Sequence, residues 1–322
     1  MDFTCSYPPG PRSVEWAREA EALGYGRVYL YDSPALYWDV WATLATVAQQ
    51  TERIGLGALV IPSLRHVLTT ASAVATIEHL APGRLLVVVG TGFTGRAMLG
   101  QRPLAWKLVE TYIRDLRALL RGETIVVDGA TVAMCHPDGW APARPIEVPI
   151  VVAANGPKGL DVARAVGDGV FCMGPGVSGF DPCVFGTAGT VLQPGETVES
   201  PRVFDALGPA IALNYHYTYE VGGAAVDELP GGAEWRASVE EVDREVRHLA
   251  VHDGHGVAPN ARELPFLHAG LGQFTTTGTP EELRARFAEY EAAGITELAY
   301  APMGSRIPDE LRAMARVAGI AL

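Results

Sequence analysis

Residues 54–95, IGLGALVIPSLRHVLTTASAVATIEHLAPGRLLVVVGTGFTG, constrain the fold more than any other stretch. Residues 54–61 are a short apolar run with β-branched members, bounded by glycines, which predicts a buried strand. Residues 67–80 carry apolar side chains at helical spacing with no internal Gly or Pro, and Pro82-Gly83 stops that helix. Residues 84–89 form a second run with nothing polar alternating in. A strand with no polar side is buried on both faces, which is how a parallel sheet reads. The stretch is thus a complete βαβ unit, with loops at the carboxyl ends of both strands.

The rest of the chain reads as further copies. Residues 3–7 predict a first strand and 14–23 a helix that Ser13 can cap and Gly24 ends. Residues 27–31 (RVYLY) predict strand two, with Asp32-Ser33-Pro34 just past its end, and 40–50 a second helix. A long amphipathic helix is expected over 104–120. Asp128-Gly129, between two β-rich runs, is a hairpin signal that interrupts the repeat. Strands five and six are expected over 146–153 and 169–173, strand seven over 210–215 and strand eight over 297–300. A polar helix is expected over 234–249. Thr279-Pro280 opens a helix that Gly294 ends, and 308–317 reads as the last helix. Eight strands alternating with helices and no obvious second core predict one (β/α)8 barrel domain over residues 1–322. Its insertions fall at about 123–145, 177–205 and 220–279.

The length of 322 residues exceeds the roughly 250 of a plain barrel and leaves room for those insertions; two ordinary domains are the competing reading. A net charge of −12 with no basic run argues against nucleic acid or an anionic membrane as partner. Cys5, Cys135, Cys172 and Cys183 form no CxxC pair and no zinc-type spacing. Sparse unpaired cysteines fit a reducing cytoplasm. No signal peptide is legible at the amino terminus, and no apolar run approaches the ~20 residues of a membrane helix. A cytoplasmic protein is the expectation.

The segments YDSP, APGRLLVVVGTG, RPLAWKLVETYIRDLRALLRGE and VPIVVAANGPKGLDVARAVGDGVF, with the strand end at Leu59-Val60, resemble the luciferase-like flavin oxidoreductase superfamily. Within it the methylenetetrahydromethanopterin-reductase-like branch is nearest. The resemblance covers about residues 1–175 and returns at GTPEELRARFAEYEAAGITEL. It implies a (β/α)8 TIM barrel, usually dimeric, holding FMN or the deazaflavin coenzyme F420 at the carboxyl ends of the strands. It also implies a non-proline cis peptide between Leu59 and Val60, bulging against the cofactor ring. Cofactor contacts carried over are Asp32, Leu59, Val60, Gly90, Thr91, Asn155, Gly174, Gly176 and Val177. A separate flavin or F420 reductase is a further partner the resemblance admits.

Residue chemistry sits beside these expectations. Asp32 lies where a barrel places catalytic side chains, but an aspartate before Ser33-Pro34 also makes an ordinary turn. The family often has Asp-His or Glu-His here, and often an acidic residue where this chain has Phe93. The proton-donating glutamate of the tetrahydromethanopterin enzymes is missing from the first strand, which offers Cys5, Ser6 and Tyr7. These departures argue against the pterin substrate, and Phe93 points to an apolar pocket. The resemblance implies that backbone amides around Gly174 and Gly176 hold the coenzyme's phosphate as an anion nest, while a Gly-Pro-Gly run also simply ends a strand. No general acid stands out; Asp32, His66 and His216 are the candidates. His248, His252 and His255 have helical spacing, but Gly254 and Gly256 break the helix, so no metal site is expected. His268 lies in an ambiguous stretch. Tyr37, Trp38 and Trp41 either wall a pocket or pack helix two. Small residues in helices two and three allow close helix–helix approach, and the resemblance implies that these helices form the interface of a homodimer.

The resulting expectation is an oxidoreductase that uses a reduced flavin-type cofactor, F420 ahead of FMN, to reduce or mono-oxygenate a small, fairly apolar organic substrate. A metal-dependent barrel hydrolase and a catalytically silent flavin-binding relative are the alternatives.

Overall fold

In the computed structural model, which describes residues 1–267 and 275–321, the chain runs in order as follows. First come β1 (Asp2–Tyr7), α1 (Ser13–Ala22), β2 (Arg27–Tyr31), α2 (Val40–Gln50), β3 (Gly55–Val60), α3 (Val67–Leu80) and β4 (Leu85–Val89). Then follow α4 (Phe93–Ala97), α5 (Trp106–Arg121), the hairpin β5 (Ile125–Val127) and β6 (Ala130–Val132), β7 (Ile150–Ala153), α6 (Pro157–Val166), β8 (Gly169–Cys172) and β9 (Cys183–Ala188). Last come α7 (Pro201–Gly222), α8 (Gly232–Glu240), α9 (Arg247–Val251), α10 (Pro280–Ala292), β10 (Glu297–Ala301) and α11 (Ile307–Ala318).

Eight strands pair, all parallel, in the closed order β1-β10-β9-β8-β7-β4-β3-β2. The (β/α)8 barrel expected from the sequence is therefore present. Its interior is filled by Tyr29, Leu86, Val88, Val151, Phe171, Val184 and Ala299. Space for Tyr29 comes from Gly57, where an added Cβ would lie 2.1 Å from the ring. The Tyr29 hydroxyl donates to Glu297 at 2.6 Å, which closes the amino-terminal end of the barrel. The larger apolar layer lies between strands and helices.

Local signals act as their chemistry requires. Asp128 and Gly129 both take positive φ between the antiparallel strands β5 and β6, the geometry of a tight hairpin turn. Thr279 and Glu282 form a reciprocal capping box at the start of α10. Ser13 is instead the first residue of α1, and its hydroxyl accepts from the Gly10 N–H at 2.8 Å.

Three expectations are corrected. Strand seven is β9, within the segment read as irregular, while residues 210–215 lie inside the helix α7. Gly208 and Pro209 break the helical signal in the sequence, yet Val203, Leu207, Ile211 and Tyr215 share one buried face. The helix expected over 234–249 divides into α8 and α9. Finally, the peptide between Leu59 and Val60 is trans; among the described residues the cis peptides are Arg144–Pro145 and Asp181–Pro182. The reason is visible in the ladder. Leu59 and Val60 continue the register of β3 against Val88 and Val89, and their carbonyls accept from the amides of Asp32 (2.9 Å) and Gly90 (3.3 Å). With both carbonyls engaged, β3 ends as regular strand.

The insertion after β9 has its own apolar cluster, which the sequence did not disclose. Val203, Leu207, Ile211, Tyr215, Val226, Trp235, Val239, Val251 and Leu267 pack together above the barrel. Its first helix is tied to α11 by Arg202, which pairs with Glu310 at 2.7 Å, and to the loop between β10 and α11 by Asp205, which accepts from the Ser305 amide at 3.0 Å. Among the described residues no helix is long and apolar enough to cross a membrane.

Candidate functional site

The carboxyl ends of the strands and the underside of α7 enclose a cavity of about 360 Å³. That volume is at the small end of the roughly 300–1,000 Å³ of ligand pockets. Its floor is the top of the barrel filling, with Leu59, Phe171, Phe185 and Ala301. Phe171 leans over Gly186, where a Cβ would meet its ring at 2.8 Å. Ala210, Leu213 and Asn214 of α7 form the roof, while Ser6, Tyr31, Ser33, Tyr37, Thr94 and His255 make one side.

Most polar groups around this cavity already have partners. Tyr31 donates to Ser6 Oγ at 2.8 Å, and burial pushes its hydroxyl up to about 12, so it is a neutral O–H at physiological pH. Tyr37 donates to the His255 carbonyl at 2.5 Å, and Thr187 bonds Thr276 at 2.8 Å. Asn214 differs: it lines the roof, and its buried Nδ2 has no partner among the described residues. An unsatisfied amide beside a cavity gains a hydrogen bond when it turns to a ligand acceptor.

Asp32 sits directly after β2, as expected, but behind the wall. It is paired with Arg65, which reaches over from the loop after β3 and also binds Asp39 at 2.5 Å. Asp39 in turn caps α2 through the amides of Trp41 and Ala42. Burial raises the Asp32 carboxyl, with Arg65 opposing, and its buried Oδ1 has no hydrogen-bond partner among the described residues. Burial prevails because only one of the two oxygens meets the guanidinium. The Asp32–Arg65–Asp39 bridge thus locks two loops of the mouth together.

The other expected residues scatter. Leu59 lines the cavity, whereas Val60 points away from it into the strand–helix core. Gly90 and Thr91 lie in the half-buried loop after β4. Asn155 is exposed and accepts the Met173 amide at 2.7 Å, which joins the ends of β7 and β8. Gly174 and Gly176 form an open rim with no atom near their missing Cβ positions, and Val177 is buried beside Cys183. His66 is exposed and caps α3 through Nδ1, 3.1 Å from the Leu68 amide. Tyr37 faces the cavity, Trp41 is buried and Trp38 is exposed. Phe93 packs against Tyr217 of the roof helix rather than lining the cavity. His268 lies outside the described residues.

His216 is not at a strand end. It lies on α7, buried, with Nδ1 3.0 Å from His255 Nδ1, and His252 Nδ1 approaches the same atom to 2.9 Å. Burial, then the two neighbouring imidazoles, pushes His255 down to about 2. The grouping by helical spacing, His248 with His252 and His255, is thereby changed: the break at Gly254 lets His255 turn back toward His252, and α7 supplies His216 as the third ring. His216 is among the candidates expected from the sequence, but at a strand end; Asn214 and the roof are not expected, because residues 210–215 read as a strand and no local signal places their helix over the barrel mouth.

A closed parallel barrel whose lidded, mainly apolar cavity lies at the carboxyl ends of its strands defines a class, the barrel proteins that handle a small ligand at that face. Residues 6–178, more than half of the chain, match the family model described as luciferase-like monooxygenase, and the chain belongs to that family. It is 25% identical to a 5,10-methylenetetrahydromethanopterin reductase of Methanolobus tindarius, over 94% of this chain and 95% of that one. It is 27% identical to an F420-dependent glucose-6-phosphate dehydrogenase of Kineococcus radiotolerans, over 91% and 87%. The coenzyme F420 dependent tetrahydromethanopterin reductase from Methanopyrus kandleri superimposes with a TM-score of 0.68 at 15% identity, over 98% and 97% of the two chains, a likeness of fold.

Proposed function

We propose that this chain is an oxidoreductase that binds a deazaflavin coenzyme of the F420 type in the cavity beneath α7 and acts on a small, fairly apolar organic substrate. The observation that carries the proposal is the mainly apolar cavity beneath α7, with the amide of Asn214, unpaired at Nδ2 among the described residues, beside it. A planar heterocycle with ring carbonyls suits such a wall, since apolar faces take the ring and a lone donor takes a carbonyl oxygen. Relatives along nearly the whole chain named as F420-dependent support the same reading.

When bound, the coenzyme would supply the hydride chemistry. The protein's share is placement. Asn214 orients an acceptor, Leu59 and Phe171 support the apolar face, and the roof helix with Tyr37 and His255 keeps water out. Asp32 is a positioning residue in this reading, because its carboxylate is committed to Arg65. The substrate class follows from the lining, which offers hydroxyls and aromatic faces and no unpaired charge among the described residues.

A second reading, reduced FMN with transfer of an oxygen atom, draws support from the family description alone and would call for a separate flavin reductase. A homodimer through α2 and α3 belongs to the same proposal, with light scattering as its check: a monomer mass at micromolar concentration would remove it. Titration of the apo-protein with F420 and with FMN, each oxidised and reduced, tests the main reading. Tighter binding of F420 supports it, a preference for FMN moves the assignment to the second reading, and indifference to all four overturns both.

A further inference from the structure

We propose that His216, His252 and His255 form a binding site for a divalent transition-metal ion of the zinc class, at the seam between the lid and the barrel mouth. The three ring nitrogens that would act as ligands lie within 4.8 Å of one another. Two are 2.9 and 3.0 Å from the third, against about 3.3 Å for two imidazoles on one tetrahedral ion with bonds of about 2.0–2.1 Å. Widening these two spacings by a few tenths of an ångström, with His216 and His252 drawn in from within 4.8 Å toward about 3.3 Å, admits the ion.

Hydrogen bonding around the rings points the same way. His216 Nε2 faces Glu263, and His252 Nε2 lies 2.6 Å from Glu220 Oε1. A carboxylate only accepts, so both outer nitrogens carry protons; a ring with that one proton aims a bare Nδ1 lone pair at His255 Nδ1. That single nitrogen is either a donor or an acceptor and can serve one neighbour. With any proton arrangement of neutral rings, at least one contact sets lone pair against lone pair. A cation resolves this: His255 moves its proton to Nε2, 3.3 Å from Thr94 Oγ1, and all three Nδ1 atoms become ligands. Each outer N–H then has an oxygen acceptor, the support that metal-bound imidazoles characteristically have. Glu263 is itself held by the Asn260 amide at 3.1 Å. Ligands that are all imidazole suit zinc, copper, nickel or iron rather than magnesium or calcium.

The position assigns a role. His216 belongs to the roof helix, while His255 lines the cavity, receives the Tyr37 hydroxyl and contacts Thr94. An ion here would pin the lid to the loops after β2 and β4. The inference does not depend on which coenzyme the cavity takes.

The test is titration of untagged, chelator-treated protein with cobalt(II), followed in the visible spectrum and by competition with zinc. The expected result is one cobalt per chain with the bands of a nitrogen-ligated, low-coordinate site, displaced by zinc, and a rise in Tm on zinc addition. His252→Gln should abolish the bands, Glu220→Gln should weaken binding about 10- to 100-fold, and His79→Gln, on the exposed face of α3, should change nothing. Folded wild-type protein that shows no cobalt bands overturns the inference, as do bands that survive His252→Gln. Should His252→Gln fail to fold, the wild-type titration and the Glu220→Gln affinity decide: unchanged affinity in Glu220→Gln also overturns it.

Discussion

Asn214→Leu separates ligand binding from stability, because the two should move in opposite directions. The amide Nδ2 is buried and has no partner among the described residues. Such a group costs about 1–3 kcal/mol, while the net worth of one hydrogen bond to a ligand is about 0.5–1.5 kcal/mol. Leucine has the same branching and number of side-chain heavy atoms with no polar atom, and its neighbours on the roof, Ala210 and Leu213, are apolar. The free variant should therefore be more stable by about 1–3 kcal/mol. In a domain of about 150–250 residues each kcal/mol raises Tm by about 2–4 °C, and a longer chain lies at the low end. The same change should weaken coenzyme binding by about 2- to 10-fold. Thermal denaturation of the free protein and equilibrium fluorescence titration of the coenzyme measure the two arms. A variant that melts lower and binds as the wild type does would refute the reasoning, since Asn214 would then be serving the fold and not the ligand.

Arg65→Met should destabilise the protein by about 3–5 kcal/mol at neutral pH, because Asp32 stays buried without its cation; adding Asp32→Asn should restore most of this in urea unfolding. Burial raises the Asp32 carboxyl in the folded chain, so its contribution is fully present below the ordinary aspartate value of about 3.9 and is lost as pH rises through the folded value. Asp32→Asn cannot lose it. The stability of that variant relative to wild type should therefore climb with pH over this window and then level off; a falling difference would mean that Arg65 outweighs burial. Gly57→Ala should cost about 1–3 kcal/mol or more through overpacking, since the new methyl would lie 2.1 Å from a Tyr29 ring anchored on Glu297. Unchanged stability in that variant would contradict the interior packing.

Seven of the eight barrel strands were legible because each is an apolar run bounded by turn residues, a pattern that depends only on near neighbours in sequence. The remaining strand, β9, is six residues long, carries Gly186 and stands between proline- and glycine-rich segments, so it has little local signal. Its glycine makes sense only beside Phe171, a partner from the adjacent strand. Helix α7 was hidden for the opposite reason: Gly208 and Pro209 penalise a helix locally, and burial of Leu207, Ile211 and Tyr215 against Trp235 and Val251 overrides them. Asp32 could be placed at a strand end from sequence, but its partner Arg65 lies 33 residues on, and their pairing needs both loops in place. The kinked bond expected at Leu59 came from resemblance, and the regular register of β3 with both neighbours replaces it. The histidine trio joins residues that local reading assigned to separate elements, and only the fold of the lid brings His216 to His252 and His255.

The central claim is that the cavity under α7 receives the coenzyme ring. Ala210 faces that cavity from the roof helix, and Ala210→Trp should fill it while leaving the barrel intact. Parallel titrations of wild type and Ala210→Trp with F420 measure this directly. One equivalent bound by the wild type and none by the folded variant is the expected result; equal binding by both, or by neither, would contradict it.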